Sequence, residues 1–272
     1  MLDLDSKNIQ LQFEGFCKTP SLWKNATIFE LQQFDLKITS TTTFEGELPK
    51  YLRLGKRVER FVAHQLKQDT TISILAETIQ IQQEKITVGE IDFLLKENQT
   101  PIHLEVVYKF YLYDETIGET EIEHFIGPNK KDSLLQKLQK LQQKQLPLLY
   151  NTNTQNLLNK LSLEVTEIEQ KVLFKAQLFL PYNGKTAKLK QVNSDCVKGF
   201  YISFNDLQLF SKCKFYIPSK INWLQEIQTQ VNWLTFQQFN SKVKITIEQK
   251  TSPLCWIKQP NGEVQKFFIV WW

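Results

Sequence analysis

The sequence has no apolar run long enough to cross a membrane. Its longest unbroken apolar stretch is Phe267–Trp272, whereas a spanning helix needs roughly 20 apolar residues. The opening segment MLDLDSKNIQ carries acidic residues where a secretory signal carries basic ones, and no apolar segment follows it. These absences argue against a membrane protein and against secretion, so we expect a soluble cytoplasmic protein.

Closely spaced cysteine pairs are also missing. The four cysteines, Cys17, Cys196, Cys213 and Cys255, are widely scattered, and the chain has no CxxC motif. Because zinc knuckles depend on such pairs, a structural zinc site is not expected. Free thiols in a reducing compartment are the expected state.

Arginine is scarce and the net charge is small. The chain of 272 residues has 33 basic and 29 acidic residues, a net charge of +4, which does not by itself indicate a nucleic-acid partner. The arginines of the whole chain are Arg53, Arg57 and Arg60, all in one short segment. With 42% hydrophobic and 23% charged residues, the composition is typical of a globular protein of one or two domains.

Hydrophobic periodicity predicts a helix, three strands, a second helix and a fourth strand. The predicted elements are helix 53–68, strands 71–83, 85–98 and 101–114, a basic helix within 127–146 that follows its N-cap Asn129 and ends before Pro147, and strand 171–182. The chain then divides into an N-terminal helical segment at 1–50, a core at 51–182 and a β-rich extension at 183–272. In the extension we expect a helix near 222–239 and a hairpin turn at Pro260–Gly262.

Three acids stand on these predicted elements: Glu59 on the first helix, Asp92 on the second strand and Glu105 on the third. Side chains alternate along a strand, so Glu105 and Lys109 share one face. If the two strands are neighbours, Asp92, Glu105 and Lys109 converge. Carboxylate oxygens are the ligands that Mg²⁺ prefers, and a lysine beside the ion can orient or deprotonate the attacking water.

Simpler roles are open for the same residues. Glu59 could form an ion pair with Lys56 or Lys67 on the helix surface, and Glu90 could be the solvated partner of a neighbouring lysine. His103 lies on the same strand face as Glu105, and a packed, hydrogen-bonded histidine is favoured over a ligand. The candidate nucleic-acid contacts, which are equally expected to be solvated surface charges, are Arg57, Arg60, Lys130, Lys131 and Lys137.

Four ordered segments resemble the PD-(D/E)XK nuclease superfamily and, more narrowly, the domain of unknown function 1853 family, which is assigned to that superfamily. The matching segments are LGKRVERFVAHQL at 54–66, GEIDFLL at 89–95, HLEVVYKFYL at 103–112 and GPNKKDSLLQKL at 127–138. The ending FFIVWW is similar as well.

This resemblance implies an α/β fold with a restriction-endonuclease-like mixed sheet core in the order αβββαβ, to which the residue pattern adds an N-terminal helical cap and a β-rich C-terminal extension. It implies a nuclease that uses Mg²⁺ or Mn²⁺ to cleave DNA or RNA, with Asp92 and Glu105 as metal ligands supported by Glu59. In the superfamily a lysine lies two residues after the acid that corresponds to Glu105, and this chain has Val107 at that position. Either Lys109 acts from a shifted position or the site has no catalytic lysine.

Two other functions follow if the lysine is missing or the acids do not meet. The chain could be a catalytically inactive nuclease-fold module that binds nucleic acid or a protein partner. It could also be a structural interaction protein that uses its aromatic C-terminal strands. The oligomeric state does not follow from the sequence.

Overall fold

The protein is a mixed α/β chain, seen here in a computed structural model that describes residues 4–24, 27–38, 43–49, 51–184 and 188–272. The helices and strands are, in chain order, α1 (Leu4–Lys18), α2 (Leu54–Gln68), β1 (Ile72–Gln83), β2 (Ile86–Glu97), β3 (Thr100–Tyr113), β4 (Phe125–Ile126), α3 (Leu134–Lys140), α4 (Thr152–Lys160), β5 (Glu169–Pro181), β6 (Val197–Ser203), β7 (Lys214–Tyr216), α5 (Phe236–Glu248), β8 (Leu254–Lys258) and β9 (Val264–Val270).

The chain divides into two compact units that are not consecutive in sequence. The first unit comprises the described parts of Met1–Pro20, Lys109–Leu135 and Ala176–Trp272, and the second those of Ser21–Tyr108 and Gln136–Lys175. The division falls within strands rather than in linkers, because β3 and β5 each contribute residues to both units.

The second unit contains the predicted helix, the next two strands and β3 as far as Tyr108. Strands β1 and β2 pair antiparallel, as do β2 and β3, and β5 is the next neighbour of β3. Helix α2 buries the apolar face that its periodicity predicts, including Val58, Phe61 and Leu66. Burial of each such side chain stabilises the fold by roughly 1.5–3 kcal/mol, which holds α2 in one orientation.

The first unit combines parallel and antiparallel strands. Strand β6 runs parallel to both β5 and β9, whereas β8 runs antiparallel to β9 and β7. Aromatic side chains fill the core, where the rings of Phe215 and Phe239 stack at 4.1 Å. The predicted hairpin between β8 and β9 is confirmed, and Gly262 adopts the positive φ of +91° that its turn requires.

The basic helix begins later than predicted. Asn129 does not cap it, because its Oδ1 accepts a hydrogen bond from the backbone N–H of Ser252 at 2.7 Å, and α3 starts only at Leu134. The helix then widens into a π-helical turn at Leu141–Gln145, followed by a 3-10 turn at Leu146–Tyr150.

The other helices also differ from the prediction in part. In place of the helix expected at 222–239, a 3-10 turn lies at Lys220–Leu224 and α5 begins after Thr235. A capping box between Thr235 and Gln238 fixes that start. Within the described residues of 1–50, α1 is the one α-helix, where several short helices were expected. No described helix is long and apolar enough to span a membrane, and all four cysteines are free thiols.

Candidate metal centre

Three carboxylates of the second unit come together at one point. Glu59 projects from α2, and Glu90 and Asp92 project from β2, where their spacing of two residues puts them on the same strand face. One oxygen from each side chain lies within 4.8 Å of the other two. Carboxylate oxygens this close together can share one hard cation.

Lys56 supplies a positive charge beside two of these acids. It lies one turn before Glu59 on α2, and its Nζ donates to Glu59 Oε2 at 2.7 Å and to Glu90 Oε1. Burial lowers the pKa of Lys56, but the hydrogen bonds to Glu59 and Glu90 outweigh that effect and leave the pKa raised. The lysine therefore stays charged and compensates part of the negative charge. Both contacts were open alternatives in the sequence.

Asp92 lies deepest in the cluster and is only 8% exposed. Its Oδ2 accepts a hydrogen bond from the backbone N–H of Val106 on β3 at 2.9 Å. Burial raises the pKa of Asp92 to about 8, with further contributions from the negative charges of Glu105 and Glu59. Burial also raises the pKa of Glu59. Acids arranged in this way retain a proton or bind a cation.

Glu105 is fully buried behind this cluster. The predicted adjacency of β2 and β3 is confirmed, because the two strands pair antiparallel from Glu97 opposite Thr100 to Phe93 opposite Leu104, the neighbours of Asp92 and Glu105 in the chain. Among the described residues, however, Glu105 is not a member of the three-carboxylate group. The negative charge of Glu105 nevertheless helps to raise the pKa of Asp92.

Hydrogen bonds occupy both oxygens of Glu105. Its Oε1 lies 3.1 Å from His103 Nε2, and its Oε2 accepts from Gln145 Nε2 at 2.6 Å. The amide of Gln170 donates to His103 Nδ1 at 3.1 Å, so Nε2 carries the imidazole proton toward Glu105. Lys137 Nζ donates to Gln145 Oε1 at 2.6 Å. His103 is thus the packed, hydrogen-bonded residue that was favoured, whereas no sequence signal indicated either glutamine.

Two predicted site residues make other contacts. Lys109 belongs to the first unit, where its Nζ donates to Asp132 Oδ2 at 2.6 Å. Arg57 was expected on a solvated helix face, but it is buried. Its Nε donates to the carbonyl of Leu52 at 3.1 Å and its Nη2 to that of Pro49 at 3.2 Å. It therefore ties the preceding segment to α2, and the expectation that it contacts nucleic acid is corrected.

The remaining basic candidates are divided between the units. In the second unit, Arg60 Nη1 lies 3.6 Å from Glu77 Oε1, and Lys137 donates its hydrogen bond to Gln145. In the first unit, Lys131 is exposed and Lys130 Nζ lies 3.8 Å from the centre of the Trp272 ring.

The sequence missed two members of the cluster as site residues, Lys56 and Glu90. Spacing was the one feature of the sequence that could have indicated them. Glu90 precedes Asp92 by two residues on a strand, and Lys56 precedes Glu59 by three residues on a helix. Both spacings put the side chains on a common face, but many solvated charges share them.

The fold and the cluster define a mixed α/β protein with a candidate centre for a divalent cation. The model of the family described as a domain of unknown function (DUF1853) matches residues 13–270. The chain belongs to this family. No curated protein and no solved structure matches the chain.

Proposed function

We propose that the protein is a nuclease of the PD-(D/E)XK type that uses Mg²⁺ or Mn²⁺ to hydrolyse phosphodiester bonds in DNA or RNA. The observation that carries this proposal is the meeting of Glu59, Glu90 and Asp92 beside Lys56. The element order α2, β1, β2, β3, α3, β5, with the two-residue β4 and the short α4 lying between these elements, supports it, since the superfamily resemblance implies an αβββαβ core.

The donor set suits a hard divalent cation. Glu59, Glu90 and Asp92 would hold the ion through oxygen atoms, which is the ligand type that Mg²⁺ and Mn²⁺ prefer. When bound, such an ion stabilises negative charge on the phosphate and activates a water molecule. Burial, followed by the negative charges of Glu105 and Glu59, raises the pKa of Asp92 to about 8. This supports the assignment, because a bound cation would stabilise the charged form of a carboxylate that the protein otherwise disfavours.

Glu105 has a supporting role in this proposal rather than the ligand role that the resemblance implies. Its oxygens are taken by His103 and Gln145, and its buried charge increases the negative potential at Asp92. Lys56 replaces Lys109 as the lysine of the site, because Lys56 already contacts two of the carboxylates whereas Lys109 is paired with Asp132. Its Nζ would orient the attacking water.

The test is cleavage of labelled single- and double-stranded DNA and RNA by the purified protein, with Mg²⁺, Mn²⁺ or a chelator. The wild type should cleave at least one substrate only when the metal is present. Asp92→Ala should abolish cleavage, and Lys56→Met should slow it by about a hundredfold or more. Glu84→Gln is the control, because it removes an exposed acid of the same unit and should cleave normally. Equal cleavage by the wild type and Asp92→Ala refutes the proposal.

A catalytically inactive nuclease-fold module is the second candidate. Two observations favour it: Val107 stands where the superfamily has its lysine, and Glu105 is sealed from solvent. Such a module would bind nucleic acid in a salt-dependent manner without cleaving it. Titration calorimetry separates the two functions, because an inactive module should give no Mg²⁺ or Mn²⁺ heat that Asp92→Ala removes. Nucleic-acid substrates and free thiols support a cytoplasmic location in either case.

A further inference from the structure

A cavity of about 380 Å³ lies in the first unit, and its size is within the range of small-molecule sites. Its walls come from residues 114–116, 181–184 and 201–203, together with Asp206, Val270 and Trp272. None of these residues belongs to the carboxylate cluster of the second unit.

The cavity lies where parallel strands end. Strands β5, β6 and β9 are parallel neighbours, and the registers pair Pro181 with Tyr201 and Ser203 with Val270. The carboxyl ends of all three strands therefore reach the same edge, and residues at each of these ends line the cavity. The carboxyl edge of a parallel sheet is the usual position for ligands in open α/β folds.

The lining is negatively charged. Asp114, Glu115 and Asp206 contribute carboxylates, and the lining residues that the structure describes include no lysine or arginine. Burial raises the pKa of the Tyr201 hydroxyl, and the charges of Asp114 and Glu115 raise it further, which agrees with a negative potential at this point. Such a lining repels phosphate and attracts a cation.

Aromatic rings complete the walls. Tyr201 is fixed by a hydrogen bond from its hydroxyl to the carbonyl of Tyr113 at 2.9 Å, and Trp272 by one from its indole N–H to the carbonyl of Pro128 at 3.0 Å. Tyr182 is about half exposed, at 49%, and so offers its ring to an incoming ligand. These rings can cover an apolar chain or the face of a cation.

The chain itself provides an example of this recognition. The ammonium of Lys130 lies 3.8 Å from the centre of the Trp272 ring and 3.9 Å from Asp114 Oδ2. An aromatic ring and a carboxylate that line the cavity thus already hold a primary ammonium, although Lys130 itself is not one of the lining residues.

We propose that this cavity binds an organic cation, an alkyl chain that ends in an ammonium or guanidinium group. Glu115 and Asp206 attract the charge, and Tyr182, Tyr201 and Trp272 contact the chain. Two sources carry this chemistry, a free amine and the lysine or arginine side chain of a polypeptide.

Titration calorimetry with two probes tests the proposal on the full-length protein. Agmatine, a butyl chain with an ammonium at one end and a guanidinium at the other, represents a free amine. The blocked peptide acetyl-Gly-Arg-Gly-amide represents a polypeptide side chain. At least one probe should bind, and its affinity should fall when NaCl is raised from about 20 to about 300 mM. The tighter probe identifies the source, and 4-guanidinobutyrate, which carries a carboxylate, should bind more weakly than agmatine.

Variants of exposed lining residues locate the site. The double variant Glu115→Gln/Asp206→Asn should weaken the affinity about fivefold to tenfold, and Tyr182→Ala about threefold. Glu263→Gln removes an exposed acid outside the cavity and should bind as the wild type does. Circular dichroism confirms that each variant is folded. The absence of heat with both probes overturns the proposal, as does unchanged affinity in the double variant.

Discussion

Replacing Asp92 by asparagine should stabilise the metal-free protein at neutral pH. The Asp92 carboxyl is buried among other acids, and its pKa in the folded protein is raised from 3.8 to about 8. Between those two values the folded state holds a proton that the unfolded state has released. The contribution of Asp92 to the free energy of unfolding is therefore most favourable at low pH and falls as the pH rises through this window.

The size of the effect follows from proton linkage. Each pH unit within the window lowers the free energy of unfolding by about 1.4 kcal/mol. At pH 7 the wild type is therefore roughly 4 kcal/mol less stable than it would be if Asp92 were protonated in both the folded and the unfolded state. Asparagine has nearly the same shape and can still accept the hydrogen bond from Val106 N–H, but it has no charge to bury. Some dependence on pH should remain in the variant, because burial also raises the pKa of Glu59.

The assay is guanidinium-induced unfolding in the presence of a chelator, repeated from about pH 4.5 to about pH 8.5. The wild type should lose stability steadily through this range, whereas Asp92→Asn should be more stable than the wild type at pH 7 and lose much less. Glu84→Gln should follow the wild type. Added Mn²⁺ should stabilise the wild type and leave Asp92→Asn nearly unchanged. A variant that is less stable than the wild type at pH 7, with the same slope, would show that the Asp92 charge is compensated and would contradict this reasoning.

Three further predictions concern the scaffold, and unfolding midpoints in urea check all of them. Gly199→Ala should lower the free energy of unfolding by about 1–3 kcal/mol or more, because an added Cβ would lie 1.9 Å from a backbone oxygen of β9. Gly55→Ala should raise it by about 0.5–1 kcal/mol, because an added Cβ there meets no atom within 4 Å. Equal effects of the two substitutions would contradict the packing argument. Gln145→Ala should cost about 1–3 kcal/mol, since it leaves a buried oxygen of Glu105 without its hydrogen bond; a neutral result would mean that water reaches this oxygen. Thr235→Ala removes the capping box of α5 and should cost about 1 kcal/mol, and an unchanged midpoint would show that packing alone fixes the start of the helix.

The sequence alone located the elements whose signals are local. The apolar spacing of α2 and the runs of β-branched residues in β1, β2 and β3 predicted these elements to within a few residues, because periodicity reports which face of an element is buried. The turn that contains Gly262 was predicted for a similar reason, since few residues tolerate a positive φ. The pattern predicted that Asp92, Glu105 and Lys109 converge, whereas Glu59, which only the family resemblance placed at the site, lies with Asp92 in the carboxylate cluster.

Tertiary structure decided everything that depends on contacts between distant residues. Asn129 is a good N-cap by local rules, yet the backbone N–H of Ser252 takes its side chain. Arg57 lies about 100° around the helix from Val58, beside the apolar stripe, and two carbonyls of the preceding segment hold it in a buried position. Helical periodicity cannot anticipate such partners, because it describes one element at a time.

The candidate site was settled in the same way. The sequence supplied acids on a helix and on two strands, but not which of them would form the cluster. The two oxygens of Glu105 form hydrogen bonds with His103 and Gln145. Glu90 instead lies with Glu59 and Asp92, and Lys56 forms an ion pair with it. The physical reason is that a buried charge must find hydrogen-bond donors or a counter-ion, and which groups are within reach is fixed only when the chain has folded.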